Sequence, residues 1–202
     1  MTPEGLARLI LARAEGPGRF LVALAGPPAA GKSTLAADLA ARLAPGARVV
    51  PMDGFHYDDA VLEARGLRSR KGAPETFDAT GFRHLIRRLR EEEEVAIPIF
   101  DRALELSRAA ADIVSAEDRI LIVEGNYLLL DRKPWSALHP MFDLTIFLDV
   151  PEAELIRRLT ERWHHHGRTE EAARAWIEGN DLPNALTVMR HSVPAEIVLK
   201  PA

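Results

Sequence analysis

Residues 26–34 read Gly-Pro-Pro-Ala-Ala-Gly-Lys-Ser-Thr, the spacing G-x-x-x-x-G-K-[ST], and they limit what this chain can become more than any other stretch. Gly26 and Gly31 let the backbone turn so that successive N–H groups face one concavity, and the positive end of a following helix adds to its field. Such a concavity holds phosphate oxygens. Pro27, Pro28, Ala29 and Ala30 complete the loop, Lys32 is expected to reach the β and γ phosphates of ATP, and Ser33 to offer its hydroxyl to Mg²⁺, with Thr34 as an auxiliary contact. The loop needs a strand before it and a helix after it. Phe20–Ala25 is a short uncharged run of the kind buried on both faces of a parallel sheet, and Leu35, Leu39 and Leu43 share one helical face until Pro45-Gly46 stops the helix.

The chain has 202 residues, 47% of them hydrophobic, which suits one α/β domain spanning 1–202. Its formal net charge of -4 argues against general nucleic-acid binding, although a local basic patch can still hold phosphates. The absence of cysteine excludes disulfides, thiol catalysis and cysteine-based metal sites. The first residues carry Glu4, Arg8 and Arg13 among apolar ones, so they do not read as a signal peptide, and no uncharged apolar run is long enough to cross a membrane. These features predict a cytoplasmic protein with a small-molecule partner and no membrane partner; a homodimer is left open.

Ala47 to Met52 reads as a second strand and delivers Asp53-Gly54-Phe55-His56-Tyr57 at its C-terminal end, the edge where open α/β sheets bind ligands. A carboxylate there is a candidate base for an attacking hydroxyl; the alternative is a partner of Mg²⁺ or of Lys32. His56 is a candidate for orienting substrate, or a hydrogen-bonded structural histidine, and Tyr57 and Phe55 are candidate walls of an acceptor pocket. Residues 58–78 read as a helix followed by a mobile loop, whose Arg68, Arg70 and Lys71 are either anion contacts or solvated charge.

The order of this loop, the strand-end Asp-Gly-Phe, then Leu-Glu-Ala-Arg-Gly-Leu and Lys-Gly-Ala-Pro-Glu-Thr-Phe-Asp resembles the uridine kinase, type I pantothenate kinase and phosphoribulokinase superfamily. The segment Asp53 to Asp78 is most similar to pantothenate kinases. By contrast, Pro98-Ile99-Phe100-Asp101 with Ser107-Arg108 resembles the uridine kinase pattern, at a place where pantothenate kinases carry serine and histidine. The resemblance implies that Asp53 activates the acceptor hydroxyl. It also implies arginines supplied from a helix and lid, for which Arg158, Arg162 and Arg168 are the matching choices. The chain further resembles short bacterial fructose transport system kinases.

Further along, Ala79 to Glu94 predicts an amphipathic helix ending in a solvated run of glutamates, and Val95 to Phe100 a short strand. Asp101 and Arg102 then become acceptor-site candidates, against a local ion pair. Ile120 to Gly125 predicts a buried strand whose Glu124 either holds Mg²⁺ through water, supports Asp53, or caps a helix. After a strand over 142–150, Glu152 to His166 predicts a helix. Glu170 to Gly179 and Leu182 to Arg190 predict two more, separated around Asp181-Leu182-Pro183, with Asn180, Asp181 and Asn184 as caps. Val193 to Leu199 closes the series as a strand.

The expected fold is a three-layer α/β P-loop architecture: a mainly parallel sheet of about five strands, helices on both faces and a helical lid near residues 157–180. The expected activity is ATP-dependent phosphoryl transfer to a hydroxyl of a small metabolite, a sugar (fructokinase-like) or a nucleoside. Pantothenate is the alternative acceptor, and a non-catalytic nucleotide-binding switch the alternative of another class.

Overall fold

The computed structural model describes residues 1–200. Its centre is β1 (Phe20–Ala25), whose alternate side chains enter two different cores, as expected of a strand covered on both faces. Leu21, Ala23 and Ala25 join one core, and Val22 and Leu24 the other. On the second side lie α1 (Pro3–Arg13), through Leu6 and Ile10, and α2 (Lys32–Leu43), through Ala36, Leu39 and Leu43.

β2 (Ala47–Pro51) runs directly into a 3₁₀ turn over Met52–Phe55. Then come α3 (Asp59–Ala64) and α4 (Ala79–Glu91); Phe82, Leu85, Ile86 and Leu89 of α4 fill the first core. The segment between these helices, expected to be a mobile loop, contains two 3₁₀ turns and is held by hydrogen bonds. The Gly72 N–H donates to Thr76 Oγ1 at 3.0 Å, and Tyr127 Oη donates to Gly72 O at 2.6 Å.

The predicted strand at Val95 exists as β3 (Val95–Asp101), but it does not enter the parallel sheet. It pairs antiparallel with β4 (Leu106–Val114), a strand that the periodicity does not predict, to make a separate hairpin. The reason is visible in β4: most of Leu106 to Ile113 is exposed, so no hydrophobic alternation marks it. Arg19 anchors the base of this hairpin to α4, donating to the carbonyls of Leu89, Glu92 and Ser115 at 2.7–2.8 Å.

β5 (Ile120–Gly125) is buried throughout, and β6 (Leu144–Leu148) and β7 (Ile197–Leu199) complete a five-stranded sheet in the order β2-β5-β1-β6-β7, every neighbouring pair parallel. α5 (Glu152–His165), α6 (Glu170–Trp176) and α7 (Leu182–His191) follow β6. The expected break before α7 is absent. Residues Ile177–Asp181 form a π-helical turn that joins α6 to α7 without interruption. Pro183 has no N–H, and its ring conflicts with the carbonyl four residues back; a widened turn accommodates both. None of the three polar residues there caps a helix. Asp181, at the N-cap position, makes no capping hydrogen bond and instead accepts from Trp163 Nε1 at 2.6 Å. Among the described residues no helix is long and apolar enough to cross a membrane.

Candidate active site

The C-terminal ends of β1, β2 and β5 open onto a cleft of about 740 Å³, bounded on its far side by α5, α6 and α7. At its floor the loop after β1 turns through left-handed backbone at Ala29 (φ 63°) and at Gly31 (φ 93°), which is the N-cap of α2. Lys32, the first residue of that helix, is 7% exposed. Its Nζ donates to Pro27 O at 2.9 Å and to Asn126 Oδ1 at 2.6 Å, both neutral groups. Burial pulls its pKa down to about 8, opposed first by the charge of Glu124 and then by that of Asp53. A buried ammonium without a direct counter-ion is prepared for an anionic ligand.

Ser33 Oγ donates to Glu124 Oε1 at 3.2 Å. Burial, reinforced by the charge of Asp53, raises the Glu124 pKa above the usual carboxylate range. These two side chains are hard oxygen donors of the kind Mg²⁺ takes, phosphate and water supplying the rest of its shell. Among the described residues no group of three or more His, Cys, Asp or Glu is placed to hold a metal ion.

The 3₁₀ turn after β2 places Asp53 in the same cleft, near enough to Lys32 and Glu124 for its charge to act on both, its carboxylate 25% exposed. The turn owes its position to Gly54. A Cβ built there would lie 2.3 Å from the carbonyl oxygen of Pro98 in β3, so only glycine lets the hairpin back onto the turn. Gly54→Ala is therefore expected to cost about 1–3 kcal/mol by overpacking against backbone. A shift of Asp53 by ~1 Å would lower kcat on the order of 10²-fold. Thermal unfolding and steady-state kinetics test this, and an alanine variant with unchanged melting temperature and kcat would contradict it.

Arg102, at the hairpin tip, donates from Nη2 to Asp53 Oδ2 at 2.6 Å. His56 Nδ1 lies 2.8 Å from Asp53 O; because a carbonyl only accepts, that nitrogen carries the proton and Nε2 is bare. The ring sits 3.9 Å from that of Phe77 and 4.8 Å from that of Phe100, and burial lowers its pKa, which keeps it neutral.

From the lid side, Arg158 Nε pairs with Glu154 at 2.6 Å, and its Nη1 donates to Ala30 O in the phosphate loop at 3.2 Å. Arg162 has no ion pair among the described residues. Burial, and then the neighbouring charge of Arg102, depress its pKa. The Arg168 guanidinium lies between two indoles, 4.3 Å from the centroid of Trp163 and 4.7 Å from that of Trp176.

Most of the residues singled out in the sequence meet in this cleft: Pro28, Ala29, Gly31 to Thr34, Asp53, His56, Arg68, Lys71, Arg102, Glu124 and the arginines Arg158, Arg162 and Arg168. Gly26 shapes the loop from behind, Pro27 accepts from Lys32, and Ala30 from Arg158. Tyr57 and Asp101 do not line the cleft. Tyr57 stacks on Arg65 at 4.5 Å, and Asp101 Oδ1 accepts the N–H groups of Ala103 and Leu104 to close the hairpin turn. Phe55 turns into the core against Phe82, and Phe77 and Phe100 provide the aromatic wall instead. Trp163, Trp176 and Asn184 line the cleft without any prior signal, because each reads locally as one side of an ordinary amphipathic helix.

The phosphoribulokinase/uridine kinase family profile matches residues 21–191. "Putative uridine kinase C227.14" of Schizosaccharomyces pombe is 36% identical over 195 residues, covering 90% of this chain and 83% of that one. A pantothenate kinase from Parvibaculum lavamentivorans is 34% identical over 74% of this chain, but this chain spans only 50% of it. Among solved structures, a "putative fructose transport system kinase" from Silicibacter sp. TM1040 superposes with a TM-score of 0.95 at 48% identity, covering 98% of this chain and 99% of that one. With a phosphate loop at the end of the first sheet strand, a strand-end aspartate facing it and a helical lid above, the chain belongs to the phosphoribulokinase/uridine kinase family of ATP-binding P-loop phosphotransferases.

Proposed function

We propose that this protein transfers the γ-phosphoryl group of ATP to a hydroxyl of a sugar or nucleoside. The observation that carries this reading is the shared cleft: Asp53, with its carboxylate within reach of solvent, lines it together with Lys32 and Ser33 of the phosphate loop. In this reading Asp53 accepts the proton of the attacking hydroxyl. Buried Lys32 and half-buried Arg162, neither with a direct counter-ion among the described residues, take the charge of the migrating phosphoryl. Arg158 braces the loop through Ala30. Arg102 orients the Asp53 carboxylate through its hydrogen bond until the acceptor arrives. Ser33 and Glu124 hold Mg²⁺, which supplies charge neutralisation on the phosphates.

A switch that only binds nucleotide has no use for a base facing the γ-phosphate position, which is why the kinase reading is preferred over it. The test is to incubate the protein with ATP and Mg²⁺ against ketohexoses, pentoses, nucleosides and pantothenate, following ADP release and identifying products by mass. A phosphorylated sugar or nucleoside is expected. Phosphopantothenate as the sole product would replace the acceptor assignment, and tight ATP binding with no phosphorylated product from any acceptor would overturn the kinase reading.

A further inference from the structure

Two of the arginines that reach the cleft from the lid side are held there by different forces. Arg158 is held by charge and hydrogen bonds, so its Nε and Nη1 are spent on Glu154 and on Ala30 O. Arg168 makes no ion pair and no side-chain hydrogen bond among the described residues. What holds it is a corner of two indoles, Trp163 and Trp176, whose ring centroids are 6.0 Å apart and whose planes are inclined at 73°. A ring face attracts a guanidinium through its quadrupole and takes none of its N–H groups. The five donors of Arg168 are therefore left for a ligand, on a residue that lines the cleft.

The chain builds this corner locally. Gly167, left-handed at φ 77°, turns the backbone after α5 so that the Arg168 N–H donates to Trp163 O at 3.0 Å and the guanidinium returns over the Trp163 ring. Trp176 ends α6, and the π-helical turn over Ile177–Asp181 follows it. Residues five apart stand about 140° apart around an α-helix, but i→i+5 bonding brings them much closer in direction. Trp176 and Asp181 accordingly both line the cleft. Asp181 Oδ2 takes the Trp163 Nε1–H at 2.6 Å, which fixes that ring. The charges of Arg162 and Arg168 both act on this carboxylate, yet it stays with the indole and pairs with neither. Arg162, whose charge also acts on Lys32, connects the corner to the phosphate loop.

Resting on the phosphotransfer reading above, we infer that Trp163 and Trp176 are positioning residues: they seat the Arg168 guanidinium in the cleft before nucleotide arrives, with its N–H donors kept free for the γ-phosphate. A carboxylate could seat the same arginine, but it would use up the donors and the charge that the phosphate needs. A long side chain already seated against two rings has also lost its rotamer freedom on folding, so less of the phosphate contact is consumed in ordering it.

The test measures nucleotide affinity of the full chain by calorimetry, with Mg²⁺ and either ADP or the non-hydrolysable triphosphate AMP-PNP. Trp176→Leu is expected to weaken AMP-PNP binding about 10- to 100-fold, the loss of one hydrogen bond between charged groups, and ADP binding by a few-fold at most. Trp176→Phe keeps a ring face and is expected to recover most of the loss. Arg168→Ala should show the same selective loss, and the double variant Trp176→Leu/Arg168→Ala should be no weaker than either single one, because both act through one guanidinium. If the leucine variant does not fold, Trp176→Met takes its place under the same outcomes. Equal weakening of ADP and AMP-PNP, or additive losses in the double variant, would make the indoles ordinary lid packing and overturn the inference. No acceptor enters these measurements, so the two readings fail separately. Selective losses in a protein that phosphorylates no acceptor would keep the indole corner and overturn phosphoryl transfer, whereas Trp176→Leu with wild-type turnover and wild-type AMP-PNP affinity would do the reverse.

Discussion

Lys32→Ala is expected to lower kcat at least 10³-fold, about 4 kcal/mol at ~1.36 kcal/mol per decade, while the protein remains folded. The lysine is buried and spends its hydrogen bonds on two neutral oxygens, so it has no direct counter-ion among the described residues. In the proposed transfer a buried charge of this kind acts on the phosphoryl group at a lower effective dielectric than a surface charge, so losing it costs more than losing a surface contact. The fold does not need it. Burial already draws the Lys32 pKa down to about 8, the mark of a charge that folding penalises rather than exploits. Steady-state kinetics beside thermal unfolding separate the two effects: a melting temperature near that of wild type with activity nearly abolished is the expected pair. An alanine variant that keeps more than a tenth of the wild-type kcat would remove Lys32 from the transfer step.

Asp53→Asn is the second large effect, expected to cost 10²–10⁴ in kcat, the range usual for removing a general base, with ATP binding retained. The substitution is nearly isosteric and keeps an oxygen for Arg102, which now donates to Asp53 Oδ2 at 2.6 Å, so the turn and hairpin stay in place. What changes is proton affinity. An amide cannot take the hydroxyl proton, whereas the phosphate loop and Lys32, the proposed ATP contacts, are left unchanged. ATP affinity measured by calorimetry should therefore stay within a few-fold of wild type while acceptor-dependent turnover collapses. Turnover unaffected by the substitution would reduce Asp53 to a partner of Arg102 and Glu124.

The two ends of the cleft differ in how far they can be read from the chain. At the phosphate end every element is local: a buried strand, a loop with glycine where φ must be positive, a helix beginning at Lys32, and an aspartate directly after the next strand. The backbone at such a motif is dictated by its own residues. At the acceptor end the prediction is uneven, since Asp101, Tyr57 and Phe55 were candidates and none faces the cleft. Asp101 shows why. Its neighbours Ala103 and Leu104 offer N–H groups two and three residues away, and a short carboxylate satisfies these before it reaches a ligand.

By itself the sequence determined a nucleotide-binding α/β fold with its phosphate loop, a mainly parallel sheet of about five strands and an aspartate at the ligand edge, because uncharged apolar runs, glycine conformation and helix stops act within a few residues of one another. Only the tertiary structure decided that Val95–Asp101 leaves the sheet for a hairpin, that Arg102 reaches Asp53, that Trp163 and Trp176 enclose Arg168, and that Asn180 donates to Lys71 O. These depend on which hydrogen-bonding groups remain unspent once distant segments have packed, 49 residues apart for Arg102 and Asp53 and 109 for Asn180 and Lys71. No pattern of residue types along the chain records which donors and acceptors are left over.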